Sequence, residues 1–185
     1  SEMDVRSRTI SDPDPRVGTR IAGMKPAAPG DLRCSDMQQD GKAVRLEPLG
    51  TVLRAYLPKP LLPGKSTTLR FNFNGQVPVQ IRRSGRDNAE GVAYSMTQWY
   101  PKVAVYDERG WHADPYVSRE FFGEWGDYDV RIDLASALPL AATGVLANAN
   151  EIGRDHGRRT RAQQRTDGKL KWHLKAPRVH DFAWS

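Results

Sequence analysis

The side chains able to do chemistry are few and far apart. Of the four histidines, His112 precedes Ala, His156 precedes Gly, His173 precedes Leu and His180 precedes Asp. None begins an H-E-x-x-H motif, which on a helix sets two imidazoles on one face with a glutamate beside the metal-bound water. Spread over turns, a polar loop and strands, they read as surface or structural histidines, and no metal ligand is assigned. Cys34 is the only cysteine, which excludes an internal disulfide and a thiolate zinc cluster. It sits in an irregular polar stretch with no histidine near it in sequence, so a reactive thiol is not expected. A G-x-S-x-G nucleophile elbow is absent. Gly64-Lys65-Ser66 lacks the earlier glycine of a phosphate-binding loop and reads as a turn.

Paired carboxylates are the remaining source of acid–base chemistry. Glu120 with Glu124, and Asp127 with Asp129, lie near aromatics that could stack a sugar, as a glycoside-binding or glycoside-cleaving site requires. Asp127, Asp129 and Asp133 fall on the solvent phase of a strand pattern, and Glu120 and Glu124 belong to the Gly-bracketed turn Glu120–Gly126. No catalytic residue is therefore assigned, and no cofactor is expected in this chain.

The elements that would position these groups are strands. The stretch Ser95-Met-Thr-Gln-Trp-Tyr-Pro-Lys-Val-Ala-Val-Tyr-Asp-Glu-Arg-Gly-Trp111 is the densest in aromatics. Lys102–Tyr106 reads as a short buried strand with a turn after it, and the flanking aromatics are expected to centre the core. Leu69, Phe71 and Phe73 alternate with polar neighbours, as do Tyr128, Val130, Ile132 and Leu134, and Leu170, Trp172, Leu174 and Ala176. Each set marks a strand with one buried face. Val44–Leu46, Thr51–Leu57 and Leu140–Leu146 read as further strands. Glu151–Gly168 reads as an exposed hairpin arm, and residues 1–40, broken by Pro and Gly, as largely irregular. With no sustained helical period, this pattern predicts an all-β, sandwich-like fold of antiparallel sheets with long irregular loops.

At 185 residues the chain suits a single domain over 1–185. Its apolar content of 38% leaves no stretch long enough to span a membrane. The net charge of +6 sits largely in Arg82–Arg86 and Arg154–Arg165, which read as solvated loops, so no nucleic-acid partner is expected. The N-terminus carries no hydrophobic signal-peptide core, and the chain reads as a fragment. If upstream strands are missing, an exposed sheet edge invites self-association.

Ser95–Trp111, His112–Tyr116, Glu120–Val130, Ala142–Leu146 and Val179-His-Asp-Phe-Ala-Trp184, taken in order, resemble the N-terminal β-domain of aminopeptidase N-like zinc metallopeptidases, the gluzincins. Upstream, the resemblance rests mainly on Arg8–Arg16. It implies a non-catalytic domain that helps shape the substrate cleft of a peptide-cleaving enzyme. Zinc and the general base would then lie in a catalytic domain absent from this chain, which alone would be inactive. It also implies a role for Gln98, just before Trp99-Tyr100-Pro101, as the side chain that holds the substrate's free α-amine. A Gln carbonyl oxygen can accept a hydrogen bond from an ammonium group. The alternatives for Gln98 and for the chain are a side chain that satisfies backbone groups at a strand end, and a stand-alone β-sandwich module that binds carbohydrate or protein.

Overall fold

The computed structural model of the chain describes residues 30–80, 83–113, 122–155, 158–159 and 167–185. The Arg8–Arg16 motif, Glu120, His156 and most of the polar arm after Glu151 lie outside these residues. The chain is all-β, built from several small antiparallel sheets joined by long irregular connections, and among the described residues no barrel closes.

In chain order the strands are β1 Asp31–Gln39, β2 Lys42–Ala43, β3 Arg45–Leu49, β4 Val52–Tyr56, β5 Leu69–Gln76, β6 Gly85–Arg86, β7 Tyr94–Ser95, β8 Tyr106–Asp107 and β9 Gly110–Trp111. They continue with β10 Gly126–Ala135, β11 Val145–Leu146, the one-turn helix α1 Ala149–Ile152, β12 Arg154–Asp155, β13 Arg158–Arg159 and β14 Lys169–Val179. The larger sheets run β2-β1-β5 and β10-β14-β11.

The core belongs to the second of these. Antiparallel pairing of β10 with β14 sets Val130 opposite Leu174, Ile132 opposite Trp172 and Leu134 opposite Leu170, apolar against apolar along one face. On the other face Asp129 meets Lys175 and Asp133 meets Lys171, so opposite charges face each other across the strands. Leu170, Trp172, Leu174, Ala176 and Ile132 are buried there with Ile152 of α1, and Phe182, at 0% exposure, closes the cluster. Helix α1 was not signalled by the sequence; it ends where Gly153 turns left-handed at φ 75°, and its contribution is Ile152.

The first sheet corrects the irregular reading of residues 31–40. Asp31–Gln39 is a nine-residue strand paired with β5, and Cys34 lies on it opposite Phe73. A bulge between Ser35 and Gln38, with Asp36 at φ 54°, shifts the phase of the strand. Cys34 is half-buried before the bulge and Met37 and Gln39 are buried after it, so no single alternation runs through the segment. Among the described residues β5 and β10 each pair on one side only.

The expected strand over Lys102–Tyr106 is also corrected. Residues 101–105 belong to no ladder, and only Tyr106–Asp107 pairs, with Gly110–Trp111 across the turn. Val105 is buried and its carbonyl accepts the His112 N–H at 2.8 Å, while Val103 points to solvent. Among the described residues the β-branched run has no neighbouring strand to join, and it is tied down by the Val105 carbonyl and the Lys102 side chain. Of the flanking aromatics, Trp99 and Tyr100 pack on the core, but Tyr106 and Trp111 are exposed and lie against each other with tilted rings 4.9 Å apart.

Candidate functional site

Two segments far apart in sequence, Met96–Lys102 and His180–Ser185, fold against each other. The Met96 N–H donates to the Trp184 carbonyl at 2.8 Å and the Trp184 N–H donates back at 3.0 Å. The last residues are in turn tied to the strand region before β11, where Thr143 N–H donates to the Ala183 carbonyl at 2.9 Å.

Within this pairing each residue around Gln98 is anchored. The Thr97 N–H donates to Ser84 Oγ at 3.2 Å, and the Ser84 hydroxyl donates to the Thr97 carbonyl. On the other side the Trp99 indole N–H donates to the Phe182 carbonyl at 3.1 Å, and its ring packs edge-on to Trp184 and Tyr100. Gln98 itself adopts φ 52° and is exposed. A left-handed residue other than glycine is uncommon. Here two fixed neighbours impose it and turn the Gln98 side chain away from the core into solvent. Among the described residues its amide makes no hydrogen bond.

A polar cluster lies beneath. The Tyr100 hydroxyl donates to Asp181 Oδ1 at 2.8 Å and lies 2.9 Å from the Tyr128 hydroxyl. Lys102 Nζ donates to the His180 carbonyl at 3.0 Å and lies 3.5 Å from Asp181 Oδ2. Burial, then the hydrogen bonds to Tyr128 and Asp181, push the Tyr100 phenol well above the usual tyrosine range, so it stays a protonated donor. Asp181 is the hub, since its Oδ1 also accepts the Phe182 N–H at 2.8 Å. The cluster fixes the backbone that carries Gln98 and offers no free base.

The other groups singled out in the sequence are not brought together. His112 pairs with Asp107 at 2.8 Å, His173 pairs with Asp129 at 2.9 Å, and His180 packs against the Trp125 ring. Hydrogen bonding to His112 holds the Asp107 carboxyl below the usual range, and hydrogen bonding to His173, with Arg131 alongside, does the same for Asp129. Asp127 accepts the Arg178 N–H at 2.8 Å, a contact between β10 and β14 at the shift in their register. Among the described residues no three His, Cys, Asp or Glu side chains gather as a metal site. Sequence reasoning missed Ser84, whose hydroxyl clamps Thr97, because nothing in Arg83-Ser84-Gly85 signals a partner thirteen residues away.

No protein-family model matches this chain, and no curated protein is significantly similar to it. Among solved structures it is similar to a two-domain M1 zinc metallopeptidase, crystallised as a point mutant bound to L-arginine, with 19% identity and a TM-score of 0.50. The match covers 83% of this chain and 32% of that one, so this chain spans about a third of the length of that relative. At this identity the likeness is one of fold.

Proposed function

We propose that this chain is the non-catalytic N-terminal β-domain of a zinc-dependent aminopeptidase, and that Gln98 faces its substrate cleft and accepts a hydrogen bond from the peptide's α-ammonium group. One observation carries the reading. The two segments that separately resemble the gluzincin pattern, around Gln98 and at Val179–Trp184, are joined by hydrogen bonds at Met96, Trp99 and Lys102, and together they hold an unpartnered amide out toward solvent. The fold-level likeness to a zinc metallopeptidase supports the same reading. Zinc would be held by a catalytic domain and would supply the activated water there; this chain's part is to position the amine.

The test is the Gln98→Ala variant of the gene product that carries this chain, assayed with aminoacyl 4-nitroanilides. A hydrogen bond to a charged group is worth about 1.5–3 kcal/mol, so KM should rise roughly tenfold or more while the melting temperature stays unchanged, because the side chain is exposed. An unchanged KM would remove Gln98 from the substrate site.

A second reading, a module that binds carbohydrate, draws on the exposed Tyr106, Trp111, Phe122 and Trp125. Calorimetric glycan binding that disappears in Trp111→Ala would put it ahead of the first.

A further inference from the structure

The basic charge of this chain is unevenly placed. Between Glu47 and Asp87 the sequence has no acidic residue and seven basic ones. The stretch therefore carries +7, while over the rest of the chain 21 basic residues, the Arg154–Arg165 group among them, are offset by 22 acidic ones. Two of the seven, Lys59 and Lys65, bound Lys59-Pro-Leu-Leu-Pro-Gly-Lys65, a loop between β4 and β5 with two leucines at its tip and a lysine on each shoulder.

The loop is rigidly built. Gln39 is buried at 4% exposure, and its amide clamps the loop's neck. Its Nε2 donates to the Lys59 carbonyl at 3.0 Å and to Thr67 Oγ1 at 3.1 Å, and its Oε1 accepts the Lys59 N–H at 3.0 Å. Asp40 closes the same neck, accepting from the Thr67 hydroxyl at 2.8 Å and the Thr68 N–H at 2.9 Å. Inside the loop the Lys65 N–H donates to the Leu62 carbonyl at 3.1 Å, and Pro58, Pro60 and Pro63 restrict the backbone further. A buried polar residue and three prolines thus hold a compact loop whose ends meet. What the loop presents is apolar: Leu61 is 53% exposed and Leu62 60%.

Two solvent-facing leucines on a preordered loop gain nothing for the fold, whereas a preordered apolar tip lowers the ordering cost of binding. The surroundings specify the partner's charge. Lys59 and Lys65 are exposed on either side of the tip; Asp40, close enough to Lys59 to feel its charge, is bound by Thr67 and Thr68, and Glu47 is bound by Tyr56 and Arg54. We propose that the Lys59–Thr67 loop is a docking point for an anionic lipid surface, with Leu61 and Leu62 entering the headgroup boundary and Lys59 and Lys65 set on the anionic headgroups. This goes beyond the peptidase reading and does not depend on it.

Vesicle co-sedimentation of the purified chain tests the proposal. Binding is expected to vesicles of equimolar phosphatidylcholine and phosphatidylglycerol and not to phosphatidylcholine alone, and it should weaken as salt screens the lysines. The double variant Leu61→Asp/Leu62→Asp should bind at least about tenfold more weakly. Lys59→Gln/Lys65→Gln, which leaves the apolar tip intact, should lose roughly fivefold per lysine. A far-UV circular dichroism spectrum equal to the parent's keeps the comparison clean. The proposal is overturned if the chain ignores anionic vesicles at low salt, if it binds both vesicle types equally, or if neither pair of substitutions changes binding, as would hold for a loop that docks on a protein instead.

Discussion

Phe182→Ala is expected to destabilise the chain by about 3–5 kcal/mol, the range for truncating a buried aromatic. Phe182 is fully buried, stacks on Tyr128 at 6.1 Å, and closes the cluster formed by Trp172, Leu174 and Ala176. A domain of this size has a net stability of about 5–15 kcal/mol, so the loss is a large part of the total. With roughly 2–4 °C per kcal/mol, the melting temperature should fall by about 10 °C. Phe182→Leu keeps most of the volume and should cost less than about 1.5 kcal/mol. Thermal unfolding of the two variants side by side decides the matter. Equal losses would mean that Phe182 is not the centre of the core.

Gly144→Ala should cost about 3 kcal/mol, through backbone strain and collision together. Gly144 has φ 89°, and a methyl built there would lie 2.4 Å from the Lys175 carbonyl oxygen and 2.7 Å from Ala176 Cβ. Both atoms belong to β14, onto which β11 pairs through Val145 opposite Lys175. The methyl group would push this edge off the sheet and loosen the Thr143 and Ala141 bonds to Ala183 and Ser185. Gly41→Ala is the matching control, because Gly41 has a similar φ of 82° with nothing within 4 Å of the added carbon. It should lose only the conformational penalty of about 1–2 kcal/mol. Urea unfolding of both separates the terms, and equal costs would show that the close approach to β14 does not matter.

The strands legible in the sequence are those whose partner lies in one phase. From Tyr128 to Leu134 in β10 and from Leu170 to Ala176 in β14 every second residue is apolar, and the register puts those residues opposite each other, so pattern and packing agree. β1 was hidden because its bulge splits the pattern into two phases, and because one of its buried positions is Gln39, a polar side chain spent on clamping a loop. Lys102–Tyr106 misled in the opposite way. Val103 and Val105 favour a strand, but a ladder needs a neighbour, and the neighbour is a question of topology. At the candidate site the sequence identified Gln98 as a residue to examine, and it placed Val179–Trp184 in the same resemblance. That the two segments touch depends on hydrogen bonds across some eighty positions, such as Trp99 to Phe182. The left-handed turn at Gln98 has no sequence signal either, since glycine, asparagine and aspartate are the usual residues there.

The central claim is that these residues serve a zinc aminopeptidase, and it is tested most directly on the complete gene product that contains them, purified and assayed for bound zinc and for hydrolysis of aminoacyl 4-nitroanilides. The account predicts bound zinc and a hydrolysis that a chelator abolishes and zinc restores, while the 185-residue chain alone shows none. A gene product with neither zinc nor aminopeptidase activity would contradict it.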